Sequence, residues 1–338
     1  MTMLKRYLMI SLLVFSSVQA AEEKKVEENL AKEVAEMATS EDAKPDREKD
    51  ISQLIEKNLR GGEAIWLGNE DTFLALYKEN TWKDTQGAIL LLHDLGANAD
   101  WPQLMNPLRL AFPQKGWHTL SLQLPMVTPD EDKKSYLSLF DESVSRVKSG
   151  MEFLKQKNIS NIVLVGHGIG AAIGLFFVNQ NPQAPVTALV AISLPGENAL
   201  KPQKEQETGK AVVDISEPDP ASEEKNKQDE KGQTEDPAQK ASPSDDKQEQ
   251  PERNLYAEMK KIKIPFLDVY AQVDHQDVVR EALKRSELMS KTDNQKYSQW
   301  QIKGADHYFR GVEPQLMKRL RGWLKNYASG MEIPLPSS

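Results

Sequence analysis

Four short segments carry residue types that can do chemistry. They are Leu92-His93-Asp94-Leu95-Gly96, Gly166-His167-Gly168-Ile169-Gly170, Asp274-His275-Gln276-Asp277 and Gly304-Ala305-Asp306-His307. A carboxylate bonded to an imidazole fixes its tautomer and stabilises its charged form. Asp274 with His307 is therefore a candidate pair, with Asp277 as the alternative acid. Such a pair can act as a general base on water or on a substrate proton. It can equally be a hydrogen-bonded tie between two loops. The five histidines are scattered, with no H-E-x-x-H or similar spacing, so no metal site is expected. There is no G-x-x-x-x-G-K-[ST] loop, and no cofactor is expected.

Residues with chemistry need elements to hold them. Residues 63–67 and 73–77 read as an antiparallel pair turning at Asn69-Glu70. Residues 88–92, 117–124, 162–165, 188–193, 266–270 and 297–302 read as strands, several of them continuous apolar runs of the kind covered on both faces. Between and beside them, residues 51–59, 101–112, 135–154, 171–178, 255–262, 278–289 and 314–327 have helical spacing. A hairpin followed by alternating strands and helices implies a doubly wound, mostly parallel eight-stranded sheet of the α/β class. In such sheets ligands bind at the carboxyl ends of the strands, which is where all four segments fall.

The order turn, acid, histidine matches the nucleophile elbow, acid and histidine of the α/β-hydrolase triad. On these motifs the chain resembles the α/β-hydrolase superfamily. More narrowly, it resembles an uncharacterised exported bacterial family of that superfamily, catalogued as a domain of unknown function. The resemblance covers residues 63–327 apart from a polar insert. It implies a hydrolase-like fold, but fold alone does not imply activity.

The chain departs from the pattern at two points. The elbow is G-x-S-x-G, and here the serine position is Gly168, between Gly166 and Gly170. Glycine adopts the strained elbow angle without steric cost but brings no hydroxyl. One reading of Gly168 is a tight turn and nothing else. The other is a vacated space that holds a water polarised by His307. His167 is expected to point away from the site as a packing histidine, and Ser193 is a weak substitute nucleophile. The second departure is Asp94, where close relatives of the fold carry glycine in the oxyanion loop. By position, the oxyanion donors are the N–H groups of Leu95 and Ile169, and a carboxylate beside them opposes the charge they stabilise. Asp94 is expected to hydrogen-bond its own loop, with His93 ordering that loop.

The ends of the chain and its charge complete the picture. Residues 1–20 read as a signal peptide: Lys5 and Arg6, a short apolar run, then Val18-Gln19-Ala20 for cleavage after Ala20. The run is too short for a stable membrane span, and the mature protein is expected in the periplasm. Residues 21–50 form an acidic arm, flexible or helical. Residues 51–329 form the hydrolase-like domain, interrupted at 200–253 by a polar insert read as disordered, and 330–338 are a tail. The net charge of −8 sits in these appendages. Residues 22–50 hold eleven acids and six bases, and residues 200–253 fifteen acids and nine bases, so the core is close to neutral. Nucleic acid is excluded as a partner on this balance. The absence of cysteine excludes a disulfide framework and a thiol nucleophile. The insert follows the strand after which this fold commonly carries a cap. It is read as an expanded surface loop, or else as a tether to an envelope partner.

Three functions compete on this reading. The first is an exported hydrolase-like protein without serine-hydrolase activity that binds a ligand or an envelope protein. The second is a hydrolase or lyase, esterase-like, using His307, Asp274 and water. The third is an exported scaffold whose acidic segments matter most.

Overall fold

The computed structural model describes residues 47–69, 71–126, 138–200 and 253–330. The expected signal peptide, most of the 21–50 arm, the bulk of the 200–253 insert and almost all of the 330–338 tail lie outside the described residues. Among the described residues no helix is long and apolar enough to cross a membrane.

The chain begins with helix α1 (Arg47–Asn58) and continues as strands β1 (Glu63–Leu67), β2 (Phe73–Lys78) and β3 (Gly87–Leu92). Helix α2 (Met105–Ala111), strand β4 (Trp117–Leu122) and helix α3 (Phe140–Gln156) follow. Next come β5 (Ile162–His167), α4 (Ile169–Gln180), β6 (Val186–Ile192), α5 (Leu255–Lys261), β7 (Phe266–Val273), α6 (Gln276–Ser290), β8 (Tyr297–Asp306) and α7 (Glu313–Tyr327). The eight strands form one sheet in the order β1-β2-β4-β3-β5-β6-β7-β8. The pairs β1–β2 and β2–β4 are antiparallel and the other pairs are parallel.

The apolar runs explain this sheet. β3 and β5 are buried at every position, so each must be covered on both faces. Alternate residues divide between two cores. Leu90, Leu92 and Leu164 join Val147, Leu154 and Phe177 of α3 and α4 on one face. Ile89, Leu91, Val163 and Val165 join Leu108 of α2 and Leu316, Leu320 and Trp323 of α7 on the other. The expected helix at 51–59 starts one turn earlier, at Arg47, and packs Ile51 and Ile55 on Leu74 and Leu76 of β2.

One expected element is shorter than its spacing suggests. The helix read at 101–112 begins only at Met105 and ends in a 3-10 turn, Phe112–Lys115. Polar bonds claim the preceding residues. Asn98 Oδ1 accepts from Asp100 N, and Asp100 Oδ1 accepts from Asn106 and from Arg109 Nε. The buried Arg109 also donates to the carbonyls of Arg60 and Gly61. Local side-chain bonds of this kind compete with the helix ladder.

A second buried ion pair sits under β7. Arg285 of α6 donates to Asp268 at 2.8 Å, and both side chains are fully buried. Tyr297 and Gln299 of β8 also donate to Asp268. Removing one partner of such a pair leaves an uncompensated charge in the interior. Arg285→Leu is therefore expected to cost about 3–5 kcal/mol of folding free energy, read from the midpoint of chemical denaturation.

Candidate active site

The site begins with the strand ends. β3, β5, β7 and β8 are parallel neighbours or near neighbours, so their carboxyl ends open on one edge of the sheet. β5 ends in His167, and Gly168 then turns the chain into α4 with φ 52° and ψ −118°. That positive φ suits glycine and strains most other residues. Gly170, two residues on, packs so closely under β3 that a Cβ there would collide with the carbonyls of Leu92 and His93. This is the geometry of a nucleophile elbow.

The serine position is not vacated. A Cβ built on Gly168 lands on the carboxylate of Asp94. Ile169 N–H donates to Asp94 Oδ1 at 2.7 Å, and His307 Nε2 donates to Asp94 Oδ2 at 3.0 Å. The expectation that Asp94 would bond its own loop is thus corrected for the side chain. Only its backbone carbonyl does so, accepting from Ala97 N. The elbow leaves an orphan helix N–H at Ile169 and a histidine N–H facing one small space, and a carboxylate satisfies both.

His93 holds Asp94 there. Its Nε2 accepts from Leu124 N at 2.9 Å, so Nδ1 carries the proton and donates to the Asp94 carbonyl at 2.8 Å. Burial pushes its pKa down to about 4, which keeps the ring neutral and the tautomer single. Leu95, the other expected oxyanion donor, lies in the exposed part of the same turn.

The acid is Asp274. His307 Nδ1 donates to its Oδ1 at 2.6 Å. Its other oxygen accepts from Ser193 Oγ at 2.6 Å and from Ala271 N at 3.0 Å. Asp277, the alternative acid, accepts from Gly196 N instead and has no bond to His307. Ser193 is fully buried at φ 52° and serves the acid rather than acting as a nucleophile. Nothing in the sequence except its place at a strand end pointed to that role.

The electrostatics follow. Burial alone would lower the His307 pKa, but its bonds to Asp274 and Asp94 outweigh that and raise it to about 9. Burial would raise the Asp274 pKa, yet its bonds to His307 and Ser193 bring it to about 2. Asp94 is also held below the ordinary carboxylate range against its own burial, mainly by the bond from His307. At neutral pH His307 is thus an imidazolium between two carboxylates. A triad histidine must be neutral to take a proton.

His167 does not point away. Its Nε2 donates to the His307 carbonyl at 3.0 Å, and its ring centre is 4.6 Å from that of His307. The exposed His275 stacks on the His307 ring with centres 3.9 Å apart, and Tyr308 meets it edge-on. One ligand-type atom each from Asp94, His167 and His307 lies within 4.8 Å of the others. Sequence spacing does not show this group, because its members come from three separate strand ends.

Removing His93 would orphan the buried Leu124 N–H and free the Asp94 loop. His93→Ala is expected to cost about 1–3 kcal/mol, measured by equilibrium denaturation.

Comparisons with known proteins bear on the family and the fold. The model of the family described as "Protein of unknown function (DUF3530)" matches residues 4–138 and 241–326, more than half of the chain. No curated protein is detectably similar. Among solved structures, the esterase Pf2001 of Pyrococcus furiosus superposes with a TM-score of 0.54 at 15% identity, covering 79% of this chain and 93% of that one. TT1662 from Thermus thermophilus gives a TM-score of 0.52 at 12% identity, covering 77% and 95%. The dienelactone hydrolase from Anabaena variabilis gives 0.51 at 15% identity, covering 78% and 97%. At these identities the likeness establishes the α/β-hydrolase fold and nothing about substrate.

Proposed function

Taking as premise that the chain belongs to the DUF3530 family of unknown function, we propose that it is an exported α/β-hydrolase-like protein without serine-hydrolase activity. It serves to bind a ligand or partner in the cell envelope. One observation carries the reading: the Asp94 carboxylate fills the space of the serine side chain and takes both the Ile169 N–H and the His307 Nε2 proton. An acyl-enzyme needs a hydroxyl in that space and a free oxyanion donor for the developing charge. Here the donor faces a fixed negative charge.

The esterase-like alternative, with His307 and Asp274 acting on water, has the 2.6 Å pair in its favour. It requires a neutral His307 with Nε2 free, and in this structure Nε2 is bonded to Asp94. The binding reading therefore has the better support.

A fluorophosphonate probe, which reports a competent serine nucleophile, tests this reading. The wild-type mature protein is expected to stay unlabelled, and labelling would overturn the proposal. Gly168→Ser alone is also expected to stay unlabelled, because the new side chain meets the Asp94 carboxylate. Labelling is expected only when Asp94→Ala is combined with Gly168→Ser, since the acid and histidine are then joined by a hydroxyl and a free Ile169 N–H.

Export is the second part of the proposal, and its support is the sequence of residues 1–20. N-terminal sequencing of the protein recovered from a periplasmic extract is expected to begin at Ala21. Recovery with Met1 at the N-terminus in the cytoplasmic fraction would refute it.

A further inference from the structure

The three side chains at the centre of the site share a feature that an ion pair does not require. Each has a ligand-type atom within 4.8 Å of one from the others, and each has a polar atom engaged with a further partner. His307 Nδ1 is bonded to the Asp274 carboxylate, which leaves Nε2 for the site. His167 Nε2 can only donate to the His307 carbonyl, because a carbonyl has no proton to give. A neutral ring with its proton on Nε2 has its other nitrogen, Nδ1, bare. Asp94 Oδ1 is held by Ile169 N–H, which leaves Oδ2. Imidazole ligands bonded to a carboxylate or a backbone carbonyl through the second nitrogen are the usual outer support of a metal centre, fixing tautomer and ring orientation.

We propose that Asp94, His167 and His307 form a binding site for one divalent transition-metal ion, with zinc as the natural occupant. It rests on the reading of this site as one that binds a ligand rather than forming an acyl-enzyme. The donor set is two imidazole nitrogens and one carboxylate oxygen. That set suits zinc, cobalt or ferrous iron and not magnesium or calcium, which take oxygen ligands. Tetrahedral zinc with bonds of about 2.0–2.1 Å has ligand–ligand edges of about 3.3 Å. The His307 Nε2 to Asp94 Oδ2 edge is 3.0 Å, and all three donor atoms lie within 4.8 Å of one another. The ion takes the place of the proton that His307 Nε2 donates to Asp94, which is released to solvent on binding, and the Asp94 side chain is 15% accessible. Three protein ligands and one open position are the pattern of catalytic rather than purely structural zinc.

The site also accounts for the two departures from the elbow pattern together. Glycine at 168 admits the Asp94 carboxylate, and Asp94 supplies the only anionic ligand of the three. The loss of serine and the gain of aspartate are one change on this view.

The test uses the mature, untagged protein after chelator dialysis. Titration with Zn2+ by calorimetry is expected to show one equivalent bound per chain. Titration with Co2+ is expected to give a visible absorption band that saturates at one equivalent and is unaffected by excess Mg2+. Asp94→Asn, His167→Ala and His307→Ala are each expected to weaken Zn2+ binding at least 10-fold, and Asp274→Asn by about 10–100-fold through the imidazole it supports. His118→Gln is expected to bind like wild type, since His118 is bonded to Tyr77 and Asn80 away from the site. The absence of stoichiometric binding to wild type overturns the proposal without any variant having to fold. Undiminished binding in the Asp94 and His167 variants, or an equal loss in His118→Gln, overturns it as well. A silent fluorophosphonate probe with no zinc bound removes this inference and leaves the proposed function standing. Labelling of the wild type removes the proposed function.

Discussion

His307 sits between the carboxylates of Asp94 and Asp274, and the arrangement of the whole active edge depends on that three-membered pairing. Each acid comes from a different strand end, and the histidine from a third. Two negative groups beside one imidazole in a largely buried site hold the ring charged, with its pKa near 9 despite the burial. Buried charges persist only when they are paired and hydrogen-bonded. Here Asp274 is satisfied by Ser193, Ala271 and His275, and Asp94 by Ile169. The pairing therefore fastens the loops after β3, β5, β7 and β8 to one another.

The sheet makes this possible by placing those loops side by side. The antiparallel β1 and β2 extend the sheet at one end and are covered by α1, while the parallel strands carry the site. His93 and Arg109 act at a distance from the chemistry. Arg109 ties the loop after Asp94 to the segment before β1, and His93 fixes the Asp94 carbonyl. The position of the Asp94 carboxylate is thus set by buried polar contacts rather than by its own turn. An enzyme of this fold works through a hydroxyl on the elbow and an empty anion pocket beside it. In this protein the Asp94 carboxylate of the neighbouring loop lies where a Cβ on Gly168 would stand, and it accepts from Ile169 N.

Much of the fold was legible in the residue order. Continuous apolar runs predicted β3, β5 and β6 to within two residues, because burial on both faces leaves a local mark in composition. The elbow glycines were legible for the same reason, since φ and close approach constrain the residue at its own position. The helix expected at 101–112 is shorter in the structure because Asn98, Asp100 and Arg109 form bonds that hydrophobic spacing does not register. His167 turns toward His307 rather than away, because a short turn motif does not show which neighbour a ring will meet.

The sequence alone determined the fold class, the glycine at 168 where the elbow pattern carries serine, and the presence of an acid and a histidine in the right chain order. Each of these is a property of single residues or of short periodic runs. Only the tertiary structure decided that Asp94 occupies the serine space, that Asp274 rather than Asp277 holds His307, that Ser193 supports the acid, and that His167 turns inward. Those choices join residues far apart along the chain, 75 positions between Asp94 and Ile169 and 213 between Asp94 and His307. Contacts of that range are set by strand order and register, and by the demand that each buried donor find an acceptor. No spacing within the chain encodes them.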